Sequence, residues 1–221
     1  MIDLIFEGLK KPDVNKFDPI RNQIDWTKPK GGFWTSPMMK SGISAWRSFC
    51  NDDGATRAFA TSRWHIILNK ECRILCVDEN LENVRPYCKK TSSGMLKEVI
   101  DFEALSKDYD MIYTSPEVMD KHGNGLFTNF EVPTGLFLNV TNKHGHPLFR
   151  TLTDQEFEVY KAKQESKGHH IDYIDNYTPK PVDFDNDPVL DRMKRSLAGE
   201  YGPEAQLHAL MAIADALGKK R

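Results

Sequence analysis

The sequence predicts an α+β fold: a compact mixed β-sheet body over residues 1–150, a helix and polar linker over 151–186, and a helical C-terminal extension over 187–221. Three observations lead there. Up to about Phe149, short runs rich in β-branched and aromatic residues alternate with a few short helical stretches, unlike the regular strand–helix repeat of a parallel sheet. A capping signature then opens a helix at Thr153. Finally, the last stretch carries one apolar stripe at helical spacing.

Each element follows from local pattern. Ser62–Asn69 and Glu71–Val77 read as strands separated by one lysine, hence two strands joined by a tight bend or one interrupted strand. Asp110–Ser115 and Gly135–Val140 are shorter β runs, while Ser44–Phe49 and Ile100–Asp108 read as helices of two or three turns. Thr153-Asp-Gln-Glu156 is a capping box, and Phe157, Tyr160 and Lys161 continue that helix to about Ser166. Lys167–Asn186, with Gly168, Pro179, Pro181 and many aspartates, reads as an extended linker. Asp187-Pro188 starts another helix, and Gly202-Pro203 opens the last one, with Leu207, Leu210, Met211, Ala214 and Leu217 on one face and Gly218 as terminator.

Composition removes several classes of function. Thirty basic against 32 acidic residues leave a formal charge of −2, so no global field recruits nucleic acid or an anionic membrane. No apolar run approaches the roughly 20 residues of a membrane span. Acidic residues near the N-terminus stand where a secretory signal needs basic ones. Neither G-x-G-x-x-G nor G-x-x-x-x-G-K-[ST] occurs, and Ser36 and Ser44 lie in no nucleophile elbow. The four cysteines match no strong zinc spacing; Cys72, Ile74 and Cys76 alternate along a strand-like run and read as buried free thiols on one packing face. His122, His144, His146 and the pair His169-His170 fall in loop-like segments without the i, i+4 spacing of a zinc protease, so no metal site is expected.

The stretch from Phe17 to Pro37 carries the most chemistry. Arg21, the pair Gly31-Gly32, then Trp34, Thr35 and Ser36, with Trp46 following, are residue types that bind a flat, phosphate-bearing ligand. A guanidinium suits phosphate, glycine backbone permits close approach, and an indole face accepts a ring. The same residues also fit a core strand entered through a Gly-Gly turn, with a tryptophan that simply packs.

Three strings in order bear a resemblance. Phe17-x-Pro19-Ile20-x-Asn22 with Lys28-Pro29-x-Gly31-Gly32-x-Trp34-x-Ser36-Pro37 is the first, and Ile100 to Tyr113 the second. Phe130-Glu131-Val132 through Asn139 is the third, so the match spans about residues 16–142. Together they resemble a family of small bacteriophage proteins, which is itself similar to the ADP-ribosyltransferase fold, a compact split β-structure that clamps NAD. The resemblance implies an NAD-dependent transferase acting in the host cytoplasm or carried in the virion, with a protein or nucleic-acid acceptor. It assigns Arg21 to the pyrophosphate, Gly32, Trp34, Thr35 and Ser36 to the rest of the NAD site, and Glu131 as the catalytic carboxylate near the ribose. Cleaving the nicotinamide–ribose bond builds positive charge on the sugar, which is why a carboxylate is needed there. The family's Trp-Asp-containing segment is replaced here by Phe130-Glu131-Val132-Pro133-Thr134.

A different class of function also has a basis. Glu200 to Leu210, with Tyr201, Pro203 and Gln206-Leu207, resembles a short helical motif of phage tail and tail-fibre assembly proteins. It implies a virion or tail structural protein that docks on other subunits through residues 187–221, without catalysis.

Overall fold

The computed structural model describes residues 2–8, 10–23, 27–52, 62–91, 98–123 and 125–178. The expected extension over 187–221 and its docking helix lie outside the described residues.

The body is mixed α+β, as the sequence predicts. In chain order it contains β1 (Leu4–Glu7), β2 (Phe33–Pro37), α1 (Ala45–Asp52), β3 (Arg63–Leu68), β4 (Ile74–Cys76), β5 (Cys88–Lys90) and β6 (Glu98–Ile100). Then come α2 (Phe102–Asp108), β7 (Met111–Thr114), α3 (Pro116–His122), β8 (Thr134–Phe137), β9 (Phe149–Leu152) and α4 (Asp154–Glu165). Seven strands form one sheet in the order β4-β7-β8-β2-β1-β3-β9, with β5 and β6 as a separate ribbon. Every pairing in the large sheet is antiparallel except β4 with β7.

The sheet curls, and chain length demonstrates it. β3 and β4 stand five strand positions apart, a separation of about 24 Å in a flat sheet. The short link from Leu68 to Ile74 reaches at most about 21 Å, and it also contains a turn closed by the Cys72 N–H on the Asn69 carbonyl at 2.9 Å. The two ends of the sheet therefore wrap toward each other. Inside the curl lie Leu4, Phe33, Ile66, Met111, Tyr113, Phe137 and Phe149. Phe33 anchors this group, with Phe17 at 4.5 Å and Phe149 at 4.9 Å between ring centroids. On the opposite face, Leu75, Ile112, Leu136 and Leu138 join residues of the helices and of the 127–132 segment in a second cluster. With cover on both faces, every residue of β7 and β8 is buried, which explains why neither strand alternates apolar with charged residues.

Of the two readings of Ser62–Asn69 and Glu71–Val77, the structure has two strands with a turn between them, β3 and β4, which are not neighbours in the sheet. The packing face expected for β4 is inverted. Leu75 is buried, whereas Ile74 and Cys76 are exposed and Cys72 is half-buried. An edge strand of three residues has only one inward position, and leucine takes it. The cysteines are free, but only Cys50 is buried.

The helix ends follow capping chemistry. Ser115 accepts from the Val118 N–H and Pro116 begins α3, a helix the sequence reading above does not contain. Thr153 and Glu156 form the reciprocal box expected at α4. The expected boundary at residue 150 falls within β9, which pairs with β3, and α4 packs Phe157 beside Ile67, Leu152 and Ile171. The start of the expected linker also runs along the body. Asp172 bridges to Ile2, Ile174 bridges to Met39, and Tyr177 is buried.

Candidate functional site

A cavity of about 220 Å³ lies over the middle of the sheet, on the face opposite the Phe33 cluster. Its floor is β1 and β2, where Ile5 stands in register with Ser36. Its walls are Trp34, Trp46 from α1, and the 130–134 segment that leads into β8. Four of the sequence-predicted residues, Trp34, Thr35, Ser36 and Glu131, line it together.

Glu131 is held in a conformation that few residues adopt. Its φ is +56°, and the Val132 N–H donates to the Phe130 carbonyl at 2.6 Å, closing a tight three-residue turn around it. A non-glycine residue in this region costs on the order of 1–3 kcal/mol and persists only where its surroundings over-determine it. Here they do. Phe130 and Val132 are both buried on either side, and Phe130 meets Trp34 edge-on at 5.1 Å. The carboxylate between these anchors is aimed by the turn, and Lys28 Nζ lies 3.7 Å from its Oε2.

Both hydroxyls of the predicted motif are tied into the frame. Thr35 Oγ1 donates to the Gly135 carbonyl at 2.6 Å, and Ser36 Oγ accepts from the Trp46 N–H at 3.3 Å. They fix β8 and the start of α1 against β2. The indole of Trp34 presents a face to the Lys28 ammonium, 4.8 Å from the ring centroid, and its own N–H donates to the Gly31 carbonyl at 3.3 Å. Lys28 is positioned through its neighbour: the buried Thr27 hydroxyl accepts both the Asn129 backbone N–H and its side-chain amide. That tie links the Lys28 loop to the Glu131 turn.

Glu7 is the residue sequence reasoning missed. Its side chain is only 5% exposed and borders the cavity from the end of β1. Ser44 Oγ donates to its Oε1 at 2.6 Å, and Arg47 Nε donates to its Oε2 at 2.6 Å. Ser44 also caps α1 by accepting the Arg47 N–H, so one hydroxyl holds helix and carboxylate together. The signal was a lone glutamate ending the apolar run Leu4-Ile5-Phe6. Glu7 also borders a second, wider cavity of about 630 Å³, lined by Arg47, Arg63, Trp64 and Asp154 among others.

Two expected site residues are placed elsewhere. Arg21 is exposed and pairs through its backbone with Lys30, at 2.9 Å in both directions. It sits between Ile20, which is buried, and Asn22, whose side chain caps α2 through Phe102 N and Asp101 Oδ1. With both neighbours turned inward, the guanidinium faces out. Gly32 is not among the cavity's lining residues either. Its φ is +72°, and an added Cβ would fall 2.8 Å from the Phe137 carbonyl oxygen, so it serves the turn into β2.

The loop histidines form no centre. His144 and His146 are exposed with ring centroids 6.3 Å apart, and among the described residues no group of three or more His, Cys, Asp or Glu side chains is placed to hold a metal ion. A different histidine is buried. His65 Nδ1 lies 2.9 Å from Asp3 Oδ1, its Nε2 lies 3.1 Å from Asp154 Oδ1, and its ring stacks on Phe157 at 3.8 Å. This cluster ties the residue before β1 to β3 and α4; it is not part of the Trp34 cavity's lining, although His65 stands in register with Ile5, which is. Among the described residues, no helix is long and apolar enough to cross a membrane.

Comparison with known proteins gives no assignment: no family model, curated protein or solved structure matches this chain.

Proposed function

We propose that the chain is a phage-encoded, ADP-ribosyltransferase-like protein that binds NAD by its nicotinamide riboside end and transfers ADP-ribose to an acceptor nucleophile. The observation that carries this reading is the convergence of Trp34, Thr35, Ser36 and the strained Glu131 on one cavity. An indole face beside a carboxylate suits a flat cationic ring linked to a sugar. Strain of this kind concentrates where a side chain must be aimed. The mostly antiparallel sheet beneath the cavity accords with a β-structure that binds a dinucleotide.

Size supports the same end of the ligand. A cavity of about 220 Å³ is smaller than the roughly 300–1,000 Å³ that buries a drug-sized molecule. It takes one ring and part of its sugar, not the whole dinucleotide, so the diphosphate and adenosine extend outside it.

The chemistry asked of these residues is limited. The bond from the anomeric carbon to the pyridinium nitrogen breaks with its electron pair going to nitrogen, and nicotinamide leaves neutral. The acceptor's lone pair forms the new bond to that carbon, and the acceptor's proton passes to solvent; without an acceptor, water takes its place. Glu131 orients a ribose hydroxyl and stabilises the positive charge that develops on the sugar. Trp34 and Trp46 hold the ring and exclude water.

Release of free nicotinamide from NAD, followed by chromatography, tests the proposal. The wild type should release it, Glu131→Gln should lower kcat by about 100-fold or more while remaining folded, and Trp34→Ala should raise KM. No release by the wild type, or undiminished release by Glu131→Gln, contradicts it.

A further inference from the structure

The chain that carries Glu131 is fastened by a hydroxyl outside the cavity's lining. Thr27 is 0% exposed, and its Oγ1 accepts the Asn129 backbone N–H at 3.3 Å and the Asn129 side-chain amide at 2.8 Å. The two residues are 102 positions apart, and neither belongs to a helix or a strand, so the bonds tie loop to loop. Each partner stands beside a rim of the cavity: Thr27 precedes Lys28, and Asn129 lies two residues before Glu131. On the far side of the turn, the Thr134 hydroxyl donates to the Val132 carbonyl at 2.7 Å. Glu131, with its φ of +56°, is held between these two hydrogen-bonded points.

We infer that Thr27 is a positioning residue: through Asn129 it keeps the Glu131 turn in its left-handed conformation, and so keeps the carboxylate aimed at the ribose. This inference rests on the transferase reading of the cavity. Phe130 and Val132 are buried, but apolar burial is non-directional. Two hydrogen bonds that meet on one oxygen fix the orientation of the chain entering the turn. Without that oxygen the half-buried Asn129 N–H must turn toward water, and the chain turns with it. A non-glycine residue leaves the left-handed region once its surroundings cease to over-determine it. Glu131 then relaxes, and its side chain swings off the ribose. Trp34 belongs to β2, paired with β8, and its ring face stays in place.

Nicotinamide release by the full chain tests this. Thr27→Val, isosteric but without the acceptor, should lower kcat by about 10- to 100-fold while KM stays within about 2-fold of wild type. Thr27→Ser, which keeps the oxygen, should recover most of that loss. Asn129→Ala removes only the 2.8 Å bond and should show a smaller fall in kcat, which keeps the test decisive if Thr27→Val does not fold. A raised KM at unchanged kcat, or equal losses in Thr27→Val and Thr27→Ser, overturns the inference. A second readout needs no activity. Glu131→Gly should preserve or raise the urea midpoint in the wild-type background, where it relieves the positive φ, and should lower it in the Thr27→Val background, where the turn is already relaxed. Equal midpoint shifts in both backgrounds overturn the inference whether or not NAD is cleaved. If the shifts differ and no nicotinamide is released, the hold on the turn stands and the transferase reading falls. If NAD is cleaved while Thr27→Val keeps full kcat, only the role of Thr27 falls.

Discussion

Thr35 Oγ1 donates to the carbonyl of Gly135 at 2.6 Å, and a Cβ added at Gly135 would fall 2.6 Å from that same oxygen. The hydroxyl and the missing side chain are thus one device, binding β2 to β8 directly under the cavity. Gly135→Ala should cost about 1–3 kcal/mol by overpacking, and Thr35→Val about 1 kcal/mol by removing the buried hydroxyl's hydrogen bond. Urea denaturation measures both. The double variant should cost less than the sum, because each substitution disturbs the same contact.

Stability and activity should separate at Glu131. Its positive φ suits glycine, so Glu131→Gly should be as stable as wild type or up to about 1 kcal/mol more stable. The same variant should lose nicotinamide release. Thermal melting and chromatography on one preparation decide the point; a large destabilisation would show that the turn is not strained.

Acid sensitivity should centre on Asp110. Burial raises its pKa, but the Arg73 guanidinium and backbone N–H and the Asn139 amide outweigh that, and the carboxyl titrates below its ordinary value. A depressed folded-state pKa contributes stability that is present above the unfolded value, about 3.9, and is lost as pH falls through the folded one. Arg73→Met should therefore be about 1–3 kcal/mol less stable near neutrality. The gap should narrow steadily below about pH 4 in a series of denaturation curves.

Docking of α4 should depend on Asp154. It accepts from Arg63 Nε at 2.6 Å, faces His65 Nε2 at 3.1 Å, and sits in the first turn of the helix. Asp154→Ala should cost about 1–3 kcal/mol and should raise amide exchange in α4 before the rest of the sheet. Uniform exchange across the molecule would contradict a local clamp.

Legibility followed the range of the interaction that decides each feature. The capping box at Thr153, the strand at Met111–Thr114 and the helix at Phe102–Asp108 are set by neighbours in the chain, and the sequence displays them. Ser115-Pro116 is an equally local signal that went unread. The order of the sheet was hidden, because the short link between β3 and β4 reads as a tight bend or an interrupted strand and says nothing of the five strand positions that separate them. At the site, Trp34, Thr35 and Ser36 were recognisable by type and Glu131 was implied by the resemblance; the four share one cavity. Arg21 and Gly32 have the right chemistry, but buried Ile20, the Asn22 cap and the turn into β2 fix them for structural ends. Lys28 and Glu7 matter through partners distant in sequence, Glu131 for one and Arg47 for the other, and no local pattern announces such pairs.

The most direct measurement is a crystal structure of Glu131→Gln grown with NAD, since the variant should bind without cleaving. The account predicts nicotinamide against the Trp34 face and its ribose beside residue 131. Density for NAD at another surface, or an empty cavity at saturating ligand, would contradict it.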